Sequence, residues 1–175
     1  MKIFQKEADM PTPTSVTQDQ SKPTNTPCAQ ALQIVLTDTY GLSLATHNYH
    51  WNVEGRDYVA LHALFGKQYR ELIMSIDRIA ERIRSLGTYT LPFDGNSSAN
   101  LSKTIVQTLN KKTSADTRAD QMIQSLIILT NKAVESCQSA KEESRDAEDD
   151  ESEILMIEQI TAHQRSLWKL NSVSK

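Results

Sequence analysis

The chain has 175 residues, with 19 basic against 22 acidic side chains and a formal charge of -3. That length suits one domain with a full core, and the balanced charge gives no global field to recruit a polyanion. Two cysteines without a C-x-x-C pairing suggest neither a zinc ribbon nor a disulfide framework, and neither the start, MKIFQKEADMPT, nor any apolar run resembles a signal or a membrane span, so a soluble protein of the reducing cytoplasm is expected.

Residues 1–27 hold four of the five prolines and almost no apolar periodicity. Such a composition cannot offset its own ordering entropy, which predicts a disordered tail followed by a bundle domain over residues 28–173. From Ala29 onward Leu32, Val35, Leu36, Thr39, Leu42, Thr46, Tyr49 and Val53 recur at three- and four-residue steps, the stripe of a long helix that stops near Gly55. A second stripe follows at once: Leu61, Phe65, Tyr69, Leu72, Ile76, Ile79, Ile83 and Leu86, closed by Gly87 as C-terminal cap. So little chain separates the two helices that they must lie antiparallel.

Residues 88–115 contain Pro92, Asp94-Gly95 and a short amphipathic patch from Leu101 to Leu109, which suits a crossover with a small helix of its own. A third long helix carries Met122, Leu126, Leu129, Ala133, Cys137 and Ala140. A fourth is expected to bury Ile154, Ile157, Thr161 and Trp168, after the acidic stretch EESRDAEDDESE. The expected fold is all-α: a ferritin-like four-helix bundle with one long crossover that contains a short helix.

Three of the four histidines fall in THNYHWNVEGRDYVALH. Imidazoles and carboxylates together suit Fe(II), Zn(II) or Mn(II). The candidate ligands are His47, His50, His62, Asp77 and Glu81. Asp77 and Glu81 are one turn apart on the second helix and share a face. His62 precedes Asp77 on that rod by roughly 22 Å, too far to share a metal within one chain. If two copies of the helix run antiparallel across a two-fold, His62 of one subunit comes beside Asp77 and Glu81 of the other, with His50 delivered from the end of the first helix. The one-bundle arrangement needs Glu-x-x-His pairs, and the chain has none. Asp77 and Glu81 border the buried stripe, where an unpaired carboxylate is costly, so either Arg78, Arg82 or Arg84 compensates them, or a metal does. His47, three residues before His50, is read as solvated or as an auxiliary ligand.

HNYHWNVEGRDYVALH followed by DRIAERIRSLG resembles the signature of the Dps family, the DNA-binding proteins from starved cells, also called miniferritins; the resemblance extends over residues 29–171. It implies a hollow homo-dodecamer built from two-fold dimers, with ferroxidase sites on the two-folds. These oxidise Fe(II) to Fe(III), preferentially with hydrogen peroxide, and ferric mineral is stored inside. Carried over by position, the ligands are His50 and His62 of one subunit with Asp77 and Glu81 of its mate. Trp51 would either trap stray oxidising equivalents or simply pack. Acids at the start of the fourth helix line iron-entry pores in the family, which makes Asp149, Asp150 and Glu153 the candidates here; the helix dipole alone predicts acids at the same place. Two departures are expected to matter. Gly66 stands where the family often has a liganding Asp or Glu, and Ala63 and Lys67 replace acids that nucleate mineral in relatives. The tail balances Lys2, Lys6 and Lys22 against Glu7, Asp9 and Asp19, so DNA binding is expected to be weak or absent at physiological salt. The alternatives are a non-enzymatic shell that protects or organises DNA at the nucleoid, with a degraded metal site, and a cage that binds zinc at the same ligands without turnover.

Overall fold

The computed structural model describes residues 26–92 and 95–174, and the side chains of residues 95–99 lie outside that description, as do residues 1–25 of the tail expected over residues 1–27. Five helices follow one another: α1 (Pro27–Asn52), α2 (Tyr58–Ser85), α3 (Gly95–Asn110), α4 (Ala115–Asp146) and α5 (Asp150–Val173). Among the described residues there is no strand, and no helix is long and apolar enough to cross a membrane. Two helical hairpins, α1 with α2 and α4 with α5, pack through α1 and α4, and α3 is the helix of the crossover between them.

The ends are set locally. Thr26 caps α1, its hydroxyl accepting from the Ala29 amide at 3.2 Å, and Pro27 occupies the first turn, where a missing N–H costs nothing. This Thr-Pro pair starts the first helix at Pro27, although its proline resembles those of the preceding segment in the sequence. Gly87, at φ 78°, ends α2 as expected, with the Thr88 amide reaching back to the Ile83 carbonyl at 3.3 Å. Asp149 caps α5 by accepting from the Ser152 amide at 3.1 Å, and Ser114 caps α4 in the same way through Thr117.

All eight positions of the first stripe are buried. On α2 Leu61, Phe65, Leu72, Ile79 and Ile83 are buried, with Tyr69, Ile76 and Leu86 half-covered at the edge. The fourth stripe does not hold. Ile154, Ile157 and Trp168 face outward, Trp168 being 68% exposed, while α5 buries Ser152, Leu155, Met156, Gln159, His163 and Leu170. The core-facing side of this helix is interrupted by polar residues, so apolar periodicity selects the wrong face. On α1 Thr39, and on α5 Gln159 and His163, fall in sequence between the two apolar clusters of the core.

His163 is 3% exposed and its Nε2 has no hydrogen-bond partner. Burial pushes its pKa down from 6.5 to about 4, so the folded state holds it neutral while the unfolded chain protonates it. The unfolded state then binds the extra proton, and stability falls as pH drops from about 6.5 towards 4. Over that window the loss is about 3 kcal/mol. Replacing His163 with Leu should flatten this part of a urea-denaturation stability profile, whereas an unchanged slope would place the acid sensitivity elsewhere.

Candidate metal centre

The five-residue turn between α1 and α2 brings the last turn of one helix against the first turns of the next. His50 and His62 meet there with ring centroids 3.9 Å apart and planes inclined by 28°. Their hydrogen bonds are reciprocal: His50 Nδ1 lies 2.8 Å from the His62 carbonyl oxygen, and His62 Nδ1 lies 2.8 Å from the His50 carbonyl oxygen. A carbonyl oxygen only accepts, so both Nδ1 atoms carry hydrogen, and in the neutral form of each ring the lone pair falls on Nε2. The neutral tautomer that binds metal is thereby selected twice. The arrangement also occupies the His50 carbonyl, one of the acceptors that the end of α1 leaves without a helical partner.

Aromatic rings surround the pair. His47 stacks on Tyr69 at 4.0 Å and lies 4.0 Å from the ring of Trp51, while Tyr58 is 5.2 Å from His62. His47 is half-buried among rings, which corrects the reading of it as a solvated side chain. Burial lowers its pKa, and repulsion from His50 adds to the effect. The sequence did not single out Tyr58, and Tyr69 entered only as a position of the α2 stripe. Their signal is spacing, four residues before His62 and seven after it.

Gly66 is buried one turn beyond His62. A Cβ there would come within 2.8 Å of His50 Cε1 and 2.9 Å of His50 Nδ1. The glycine is the space into which the His50 ring fits.

Asp77 and Glu81 project from α2 into solvent, not along its buried edge. Among the described residues neither has an ion-pair partner. The three nearby arginines are engaged elsewhere: Arg78 with Glu158, Arg82 with Asp149, and Arg84 with the Thr88 carbonyl at 3.0 Å and the Tyr89 ring at 4.1 Å. The two carboxylates are thus left uncompensated on an open face. No group of three or more potential ligands gathers within one chain among the described residues.

A ferritin-like domain is matched over residues 29–175. The chain belongs to the ferritin-like family. A DNA protection during starvation protein of Brevibacillus brevis is 29% identical over 132 residues, covering 75% of this chain and 83% of that one. A low temperature-induced protein of a Nostoc species is 45% identical over 56 residues, and that match spans 32% of this chain but only 31% of the relative. The crystal structure of a Dps protein from Vibrio cholerae, described as a member of a broad superfamily of ferritin-like diiron-carboxylate proteins, superposes with a TM-score of 0.67 at 25% identity over 85% of this chain and 89% of that one. Within the ferritin-like family the chain falls in the Dps, or miniferritin, branch.

Against the Dps pattern, the acids at the start of α5 are only partly free. Asp149 is tied into the α4–α5 turn: Arg82 Nη2 donates to it at 2.5 Å and the Ser152 hydroxyl at 2.6 Å. Burial works to raise its pKa, but the bonds from Ser152 and Arg82 outweigh that and hold the carboxyl below its ordinary value. Glu153 accepts from Arg145 Nε at 3.0 Å. Asp150 is exposed and has no ion-pair partner among the described residues. Trp51 is 61% exposed beside His47.

Adding a side chain at position 66 should push the His50 ring off its carbonyl. Gly66→Ala is expected to weaken Co(II) binding, followed by titration calorimetry, by about 10- to 100-fold with little change in thermal stability. Undiminished affinity would show that the close approach of Gly66 and His50 is not needed.

Proposed function

We propose that this protein is a Dps-type miniferritin that takes Fe(II) as substrate at sites shared between two subunits, oxidises it with hydrogen peroxide and stores the ferric product inside a hollow dodecamer. One observation carries the reading: two imidazoles locked in the ligating tautomer and two unpaired carboxylates occupy one hairpin, yet stand roughly 22 Å apart along α2. An antiparallel mate reunites them. His50 and His62 then supply nitrogen donors, while Asp77 and Glu81 of the mate supply oxygen donors and the negative charge that favours Fe(III) over Fe(II).

In the reaction each of two Fe(II) ions gives up one electron, the O–O bond of peroxide accepts both and breaks, and two hydroxide ions form. Two-electron reduction avoids hydroxyl radical, which gives the protein its protective role in the cytoplasm under oxidative stress. Trp51, in contact with His47, is placed to supply an electron when only one iron is present. Of the pore candidates, Asp150 is the carboxylate still free to attract a cation, since Arg82 and Arg145 hold Asp149 and Glu153. Gly66 removes a potential oxygen ligand and leaves the site richer in nitrogen. Zinc would bind such donors without turnover, so binding alone does not identify the substrate. DNA binding is weak or absent in this reading.

The test is oxidation itself. Protein loaded anaerobically with Fe(II) and then given peroxide should develop ferric absorbance, and the double variant His50→Ala, Asp77→Ala should do so on the order of 100-fold more slowly. Equal rates would remove the ferroxidase assignment. Iron that oxidises but precipitates outside the protein would instead locate the defect at Ala63 and Lys67, where mineral-nucleating acids are missing.

A further inference from the structure

At the end of α1 remote from His50, the chain that follows α2 forms one wall of a groove of about 430 Å³. Ala29, Gln33 and Ile34 of α1 line one side, and Tyr89 and Leu91 the other. Its apolar residues are uncovered: Ile34 is 58%, Leu91 64% and Tyr89 67% exposed. Both walls are already fixed. The Gln33 side chain accepts from the Leu91 amide at 2.9 Å and donates to the Leu91 carbonyl at 3.4 Å, which ties this segment to α1. The Arg84 guanidinium lies 4.1 Å over the Tyr89 ring and donates to the Thr88 carbonyl at 3.0 Å, which holds the ring in place. Filling a groove whose walls are preformed costs little reorganisation.

We propose that the groove receives the N-terminal end of its own chain, with the Ile3 and Phe4 side chains seated against Ile34, Tyr89 and Leu91. The inference is independent of the iron chemistry. Position selects this occupant first. The chain that precedes the described residues joins α1 at Thr26, one turn before Ala29, so it enters beside the groove. Composition selects it next. Among residues 1–25 Phe4 is the sole aromatic residue, and Ile3-Phe4 is the sole pair of adjacent apolar side chains. The rest is polar or proline-rich and offers these two no core, so they gain burial only on a surface built elsewhere. Length permits it. Phe4 precedes Thr26 by 22 residues, and a coil of that length spans roughly 26 Å r.m.s.. The groove begins only about 5 Å along the axis of α1 from Thr26, so the tether reaches it with slack. Linked in this way, the pair faces the groove at an effective concentration in the millimolar range. A free partner present at micromolar concentration must bind about 1,000-fold more tightly to compete.

The experiment uses the full-length protein with Phe4→p-benzoylphenylalanine, an aromatic photo-crosslinker, irradiated in the absence of metal. The expected product runs at monomer mass on a denaturing gel. Mass spectrometry should join its N-terminal peptide to the tryptic peptide that contains Ile34 or to the one that contains Tyr89 and Leu91. Leu91→Asp changes an exposed side chain and leaves the Gln33 bonds to the Leu91 backbone in place. It should lower the crosslink yield about tenfold with unchanged helical circular dichroism, and Ile34→Asp on the opposite wall should act alike. Crosslinks at dimer mass would put Phe4 on a second copy and overturn the docking within one chain. Crosslinks scattered over unrelated peptides, none to the two named peptides, or a yield indifferent to both substitutions would show that the groove does not hold Phe4.

Discussion

Each imidazole of the His50 and His62 pair spends its Nδ1 hydrogen on the other residue's backbone carbonyl, and the remaining features of the centre depend on that exchange. The two bonds cross the α1–α2 turn, so they fix the packing of the helix ends and the tautomer of both rings together. With the rings held face to face, each neutral imidazole has its donor hydrogen committed on Nδ1, the arrangement that suits ligation through Nε2. Gly66 makes the geometry possible, because any side chain at that place would occupy the volume of the His50 ring. The residue that departs from the Dps pattern is thus part of how this pair of rings is packed.

Charge placement on α2 follows a consistent logic. Arg78 and Arg82 reach across to acids of α5 and of the α4–α5 turn, which binds the two hairpins and leaves Asp77 and Glu81 unpaired. Arg82 with Asp149 is the better shielded of these pairs, with side-chain exposures of 22% and 11%. Its partner is also the N-cap of α5, so this carboxylate holds structure first. An exposed pair of acids costs a lone chain little. In the proposed shared site a second face would cover the pair and lower the local dielectric, which would strengthen its hold on a cation.

Much of the bundle was legible because α1 and α2 obey simple periodicity. Every position of the α1 stripe is buried, and Gly87 ends α2 with the positive φ that its residue type suggested. Helix α5 defeated the same reasoning, since Gln159 and His163 face the core while Ile154, Ile157 and Trp168 face out. A pattern of apolar residues cannot tell a core face from an outward face that is itself apolar. At the candidate centre, the spacing of His62, Asp77 and Glu81 was enough to separate an imidazole from the acids along α2, with His50 reached across the turn from α1. The ring stack of His47 on Tyr69 and the fit of His50 over Gly66 were not legible, because both depend on how two helices approach across a turn. The engagement of Arg78, Arg82 and Arg84 also needed the fold, as their partners lie in or beyond the segment after α2.

A centre divided between two chains, as proposed, is tested most directly by subunit mixing. One parent lacks the imidazoles, His50→Ala with His62→Ala, and the other lacks the acids, Asp77→Ala with Glu81→Ala; each alone should be inactive in Fe(II) oxidation. Co-refolded at equal amounts, half of the pairs are mixed and each mixed pair rebuilds one of its two sites, so activity should return to about a quarter of the unaltered protein. Mixed assemblies as inactive as either parent would contradict the divided centre.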